Sequence, residues 1–156
     1  YGPFRALEDD VYKYWQKHLV ASIPNLTIKN HPKSIKPELG VRAEDRWLED
    51  CIGDYDLLIL DYYSTAASIA VFSDKPVMFF DIGLRNMSSR YTELLRKRCH
   101  YRTINLCEEL SSQINDVLDS FGEQSNSWSN LKLKDYAIRK DNVDGVWPAL
   151  VSTLFN

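Results

Sequence analysis

The chain has 156 residues, of which 44% are hydrophobic, 12% aromatic and 26% charged. A chain of roughly this size buries about two-thirds of the surface that it exposes when unfolded, so we expect one ordered domain around one core. Its 19 basic and 22 acidic side chains leave a net charge of −3, which excludes nucleic-acid binding by bulk charge.

The first predicted element is an amphipathic helix that runs from Leu7 until Pro24 ends the pattern. Its apolar positions at helical spacing are Val11, Tyr14, Trp15, His18 and Leu19. Residues 1–5 are expected to be the last residues of a strand that starts before Tyr1. Because the chain also lacks an initial methionine, we expect it to be cut from something longer.

A short strand is predicted next, over residues 26–29. It runs directly into His31 and Pro32. Because proline cannot donate a hydrogen bond to a strand ladder, the strand is expected to stop at the histidine.

The middle of the chain predicts a strand, a helix and a second strand. Residues 47–52 favour a short helix, and the four apolar residues 57–60 indicate a strand that is covered on both faces. A helix of small residues is expected over 66–72, and a second apolar strand over 77–80 closes at Asp81. The connection is long enough for a right-handed parallel crossover.

The last elements complete an alternation of strands and helices. A strand is predicted over 102–106, a helix over 110–121 that ends at Gly122, and a final helix over 143–154. This order predicts the α/β class, with a Rossmann-like, doubly wound parallel sheet in a single domain.

Ligands of open parallel sheets bind outside the carboxyl ends of the strands. Three segments occupy such places, residues 29–33, 61–65 and 81–85, and we expect them to open on one edge. Ser64 and Thr65 fall at a helix start, where free backbone N–H groups and the helix dipole favour a phosphate. The alternative is that this pair only caps the helix.

His31 strengthens the phosphate interpretation because it follows a neighbouring strand and stands between Lys29 and Lys33. An imidazole there could donate to phosphate oxygens and help stabilise a leaving diphosphate or monophosphate. Further along, residues 85–102 are locally basic. They are expected either to meet anionic lipid head groups or an acidic acceptor, or to form a solvated helix face.

The three cysteines show no C-x-x-C spacing, which predicts neither a zinc site nor a disulfide framework. A reducing compartment fits best, and no metal is expected because no cluster of ligands for one is found. No apolar stretch reaches the roughly 20 residues that span a bilayer.

These motifs resemble the C-terminal half of a GT-B glycosyltransferase from bacterial surface-polysaccharide synthesis. The segments that carry the likeness are Lys29 to Pro32, Asp61 to Thr65 and Lys75 to Phe80. Residues 1–5 are similar to the Tyr-x-Pro-Thr-x-Arg segment of CDP-glycerol glycerophosphotransferases, and Asp144-Gly145 resembles an Asp-Gly near their C-terminus. The His-Pro and Ser-Thr motifs are also similar to those of bacterial sialyltransferases and capsule Kdo transferases.

The resemblance implies one half of a GT-B fold, with residues 1–156 as a C-terminal domain that binds the donor nucleotide and an N-terminal acceptor domain missing from the chain. It implies a cytidine-nucleotide donor, either CMP-Kdo, CMP-sialic acid or CDP-glycerol, for building capsule, lipopolysaccharide or teichoic acid. The resemblance also implies a reaction that needs no metal and no other cofactor. Since the general base belongs to the missing half, this chain alone is expected to be inactive.

The resemblance also implies roles for individual residues. His31 is the expected catalytic residue and a phosphate ligand. The other expected donor-binding residues are Arg5, Lys29, Pro32, Asp61, Tyr63, Ser64, Thr65 and Ser68. The chain departs from the pattern at Ser68, where many GT-B enzymes have a ribose-binding glutamate, and at Tyr63, where the glycerophosphotransferases usually have serine.

The expected partners are the activated donor and, through the missing half, a glycan or lipid-linked acceptor, but no nucleic acid. The expected location is the cytoplasm, with peripheral contact at the inner face of the membrane. Two alternatives stay open. One is a half domain like that of a UDP-sugar 2-epimerase, and the other is a Rossmann-like interaction module without catalysis.

Overall fold

The structure, a computed structural model, describes the backbone of residues 3–29 and 39–128 and the side chains of 10–29 and 39–121. The described residues up to Ser125, which include all the elements below except the last residues of α5, belong to one compact unit. In chain order they are α1 Pro3–Ser22, β1 Thr27–Ile28, β2 Arg42–Ala43, α2 Leu48–Cys51 with a 3-10 turn Ile52–Asp54, β3 Leu58–Leu60, α3 Thr65–Phe72, β4 Val77–Asp81, α4 Ser89–Arg98, β5 His100–Thr103 and α5 Leu110–Trp128.

The described strands form two parallel sheets. One has three strands in the order β3-β4-β5, with Leu58 opposite Val77 and Met78 opposite His100. The other pairs β1 with β2. Parallel strands joined by α3 and α4 confirm the predicted α/β class, in the manner of a Rossmann-like fold.

Strand β4 is buried on both faces, as its run of apolar residues predicted. Met78 and Phe80 join a core with residues of α1 and α5, whereas Val77 and Phe79 join a second core with residues of α3 and α4. Since alternate residues of a strand point to opposite faces, helices cover the three-stranded sheet on both sides.

Helix α1 begins earlier than the sequence predicted. Pro3 is its first residue, so the expectation of a strand end at residues 1–5 is wrong for Pro3 to Arg5. Proline is well suited to a first helical position because its missing N–H would have no partner there. Trp15 and Leu19 are buried as predicted, while Tyr14 is half exposed.

Helix α4 carries most of the basic run, and its last residue is not a solvated side chain. The guanidinium of Arg98 is partly buried and donates to the carbonyl oxygens of Val71 at 2.9 Å, Ser73 at 2.7 Å and Lys75 at 2.8 Å. These carbonyls belong to the end of α3 and the turn into β4. Arg98 therefore supplies donors that the end of a helix otherwise lacks.

The elements after β4 depart from prediction at their ends. Strand β5 is His100–Thr103 and not residues 102–106. Helix α5 continues through Gly122 to Trp128, because an interior glycine costs only about 1 kcal/mol and does not by itself end a helix. The helix predicted over 143–154, with Asp144-Gly145, lies outside the described residues.

Two properties of the described part of the chain bear on its environment. None of its helices is both long enough and apolar enough to cross a bilayer. Cys51, Cys99 and Cys107 are free thiols, the first two buried and the third exposed.

Candidate functional site at the start of helix α3

Helix α3 begins at Thr65, one residue before the predicted run of small residues, with Ser64 in the N-cap position. The backbone of Ser64 is extended, at φ −155° and ψ 174°. Its carbonyl oxygen accepts hydrogen bonds from the N–H groups of Ala67 at 3.0 Å and Ser68 at 3.3 Å. The N–H groups of Thr65 and Ala66 precede these bonds and have no partner within the helix.

The hydroxyl of Ser64 does not serve as a cap. An N-cap serine usually accepts a hydrogen bond from the second or third residue of its helix, but the Ser64 side chain makes no such bond. Thr65, the first residue of the helix, is exposed. The start of α3 therefore presents two hydroxyls and two backbone N–H groups to an anion.

A shallow, open cleft lies between the carboxyl ends of β3 and β4, next to this helix start. Its lining combines aromatic rings, two carboxylates and a guanidinium. The lining residues are Asp61, Tyr62, Tyr63, Phe79, Asp81, Ile82, Leu84, Arg85 and Met87. Two of the three segments expected at one edge, those around residues 61–65 and 81–85, thus come together.

Asp61 is held by side chains of α1. Its carboxylate accepts hydrogen bonds from the hydroxyl of Tyr12 and from the indole N–H of Trp15, the latter at 3.0 Å. Burial raises the pKa of Asp61, and the two hydrogen bonds oppose that rise. The structure therefore places Asp61 at the floor of the cleft, with its oxygens already paired.

The raised pKa of Asp61 should be detectable in the pH dependence of the free energy of unfolding. Because its pKa is raised on folding, its stabilising contribution is complete below the unfolded pKa, near 3.8, and is lost as the pH rises through the folded value. We expect the free energy of unfolding, measured in urea between about pH 4 and pH 7, to fall more with pH in the native protein than in Asp61→Asn. Parallel curves, which differ only by a constant offset, would contradict this.

Asp81 closes β4 and turns the chain. One oxygen accepts the N–H of Gly83 at 3.1 Å, and the other accepts the hydroxyl of Tyr101. Gly83 has φ +72°, which favours glycine. Burial, together with the hydrogen bond and charge of Asp81, raises the pKa of Tyr101 to about 12. Both carboxylates of the cleft are thus bound by neighbouring donors.

Arg85 and Tyr62 form the more exposed wall of the cleft. The guanidinium carbon of Arg85 lies 5.3 Å from the centre of the Tyr62 ring, a cation–π contact. Tyr62 is 38% exposed. This wall offers positive charge and a flat aromatic face.

Lys29, one of the predicted donor-binding residues, lies outside the cleft lining. Its ammonium donates to the carbonyl oxygen of Arg46, in the loop after β2. The strand before it pairs with β2, whereas β3 pairs only with β4 among the described strands. The short β1 therefore does not neighbour β3 as the sequence suggested.

Three of the predicted site residues lie outside the part of the chain whose side chains the structure describes. His31 and Pro32 lie outside the described residues, and for Arg5 only its place in the first turns of α1 is described. Of the rest, Tyr63 lines the cleft and Ser68 lies one turn into α3. Within the described ranges, no group of three or more histidine, cysteine or acidic side chains could hold a metal ion.

Tyr62 and Arg85 lie within the segments predicted to form the site, but the sequence did not predict a role for either residue. Their signal is positional: Tyr62 directly follows the carboxylate at the end of β3, and Arg85 lies four residues after Asp81.

Comparison of the chain with protein-family models, curated proteins and solved structures gives no match.

Proposed function

We propose that the chain binds the phosphate of a cytidine-nucleotide donor at the start of α3, as the donor-binding half of a metal-independent GT-B transferase. One observation carries the proposal: the Ser64 hydroxyl is not used as a cap at a helix start beside the cleft. Free N–H groups and the helix dipole attract a phosphate there.

The cleft supports a nucleotide rather than a bare anion. Arg85 brings a positive charge to the lining of the cleft, and the partly exposed Tyr62 ring offers a surface on which a base can stack. Both carboxylates already accept hydrogen bonds from side chains or backbone. Their oxygens are therefore less available to bind a cation.

The finer assignments rest on the resemblance. In this proposal His31, with Pro32, Lys29 and Arg5, completes the phosphate site and assists the leaving group. The transferred group is Kdo, sialic acid or glycerol phosphate, delivered to a glycan or lipid-linked acceptor that an N-terminal half would hold at the inner face of the membrane. The chain alone binds donor without turning it over.

Calorimetric titration of CMP, CDP and UDP into the chain tests the proposal. We expect CMP or CDP to bind more tightly than UDP, and His31→Ala to weaken that binding. Tighter binding of UDP would favour the epimerase-like alternative. Absence of binding by all three nucleotides would favour an interaction module without catalysis.

A paired substitution tests the helix start itself. Ser64→Ala with Thr65→Val removes two hydroxyls from the proposed phosphate site, and we expect the affinity for CMP or CDP to fall about tenfold, as for lost hydrogen bonds to a charged group. Thermal stability should hardly change, because Ser64 makes no cap bond.

Ser88→Ala is the matched control for stability. The Ser88 hydroxyl does cap its helix, accepting the N–H of Tyr91 at 3.3 Å, so its loss should cost about 1 kcal/mol of unfolding free energy. If the Ser64 and Thr65 variant loses as much stability and keeps its affinity, the pair is a cap and not a phosphate site.

A further inference from the structure

Tyr12 of helix α1 contacts two neighbouring residues of the cleft lining. Its hydroxyl donates to the carboxylate of Asp61. Its ring meets the Tyr62 ring at an interplanar angle of 89°, with centres 6.2 Å apart, which lies within the range of edge-to-face aromatic pairs. Asp61 and Tyr62 line the cleft, whereas Tyr12 does not. Tyr12 therefore contacts the lining of the cleft without belonging to it.

The Tyr12 side chain is itself fixed in place. Its ring packs against the core that α1 and α5 share with the sheet. Burial, with the charge and the hydrogen bond of Asp61, raises the pKa of Tyr12 well above its ordinary value, so the hydroxyl stays protonated and keeps donating. Asp61 is in turn held by the indole N–H of Trp15. The orientation of the Tyr12 ring is thus set by a core at one side and a carboxylate at its hydroxyl.

The Tyr62 ring has more freedom than Tyr12, because it is 38% exposed. Its described ring contacts are the Tyr12 ring and the guanidinium of Arg85, whose carbon lies 5.3 Å from the ring centre. A side chain that must be immobilised when a ligand binds lowers the affinity, whereas one already held in its bound orientation does not. The contact with Tyr12 restricts Tyr62 before any ligand arrives.

We infer that Tyr12 is a positioning residue for the nucleotide base, because it holds the Tyr62 ring in the orientation on which the base stacks. This inference rests on the proposed function. Stacking on an aromatic ring is tolerant of the identity of the base. Loss of Tyr12 should therefore weaken CMP and UMP by the same factor, and it should leave unchanged a ligand that carries the phosphate without a base.

Titration of CMP and ribose 5-phosphate into the native chain, Tyr12→Leu, Tyr62→Ala and the double variant tests the inference. Ribose 5-phosphate has the same sugar and phosphate but no base, and NMR shifts of the Thr65 and Ala66 N–H groups report its weaker binding. We expect Tyr12→Leu to weaken CMP binding about fivefold, the scale of one aromatic pair, and to leave ribose 5-phosphate unchanged. In the Tyr62→Ala background, Tyr12→Leu should have no further effect on CMP binding.

Two conservative variants serve as controls. Tyr12→Phe keeps the ring beside Tyr62 and removes only the hydroxyl, so it should weaken CMP binding less than Tyr12→Leu does. If Tyr12→Leu does not fold, Tyr12→Phe takes its place in the cycle. Tyr55→Phe also removes a hydroxyl that donates to a carboxylate, that of Glu44 at 2.9 Å, but Tyr55 does not line the cleft. Both variants should melt at a lower temperature, and Tyr55→Phe should bind CMP normally.

Three results would overturn the positioning role while the proposed function stands. In the first, Tyr12→Leu leaves CMP binding unchanged or weakens CMP and ribose 5-phosphate alike. In the second, it weakens CMP equally with and without the Tyr62 ring. In the third, the native chain binds ribose 5-phosphate as tightly as CMP, so that the base does not stack. If the native chain binds neither ligand, the inference and the proposed function are both wrong.

Discussion

Replacement of Trp15 by alanine is expected to lower the free energy of unfolding by about 4 kcal/mol, as for other buried aromatic residues. Trp15 is fully buried in α1 and packs edge to face on Phe80 of β4, with ring centres 5.3 Å apart. Its indole N–H also donates to Asp61. The substitution leaves a cavity between helix and sheet and removes a donor from a buried carboxylate. Urea unfolding measures the loss.

Two variants separate these causes. Tyr14→Ala, at the preceding and half-exposed position, should cost less than about 1 kcal/mol. Trp15→Phe keeps much of the apolar volume and removes the indole N–H, so it should cost about 1–2 kcal/mol. If Trp15→Ala were no more damaging than Tyr14→Ala, α1 would not be packed on the sheet as described.

Truncation of Arg98 to alanine should cost about 3 kcal/mol of unfolding free energy. Its guanidinium makes three short hydrogen bonds to backbone carbonyls, and bonds from a charged donor are stronger than neutral ones. Without them, the carbonyl of Val71 in α3 and those of Ser73 and Lys75 in the turn into β4 lose these donors. Denaturant unfolding again gives the value.

Arg90→Ala is the control for charge, because Arg90 lies on the same helix and is exposed; it should change stability by less than about 0.5 kcal/mol. Arg98→Lys keeps the charge without the planar array of donors and should fall between the two. Hydrogen exchange in the last turn of α3 should accelerate in Arg98→Ala. Equal losses for Arg98→Ala and Arg90→Ala would show that the three bonds add nothing.

The strands could be predicted from sequence best where burial is complete. Residues 77–80 are apolar without interruption because both faces of β4 are covered, so the pattern itself carries the structural information. Strand β5 was misplaced because its buried His100 is polar and Tyr101 and Arg102 are more open, leaving no apolar run to mark it. The continuation of α5 past Gly122 likewise could not be predicted, because one interior glycine costs too little to end a helix.

The candidate site, too, could be predicted only in part from the sequence. The start of α3 was predictable, because small residues after a strand and a Ser-Thr pair mark a helix start. What the sequence could not show is that the Ser64 hydroxyl makes no cap bond, or that Tyr12 contacts Tyr62. The first depends on the geometry of one side chain against its own helix, and the second on distances between side chains of different elements. The predicted apolar positions of α1 included Tyr14 and not Tyr12, whose partners at the cleft lie far along the chain.

The sequential order of β3, β4 and β5 has a consequence for how the sheet assembles. The paired residues Leu58 and Val77, and then Met78 and His100, are each about 20 positions apart in the chain, so each pairing closes a short loop at modest entropic cost. Contacts of low sequence separation of this kind favour rapid folding. The register of the sheet is therefore a local property of residues 58–103, and the start of α3 lies inside the first loop.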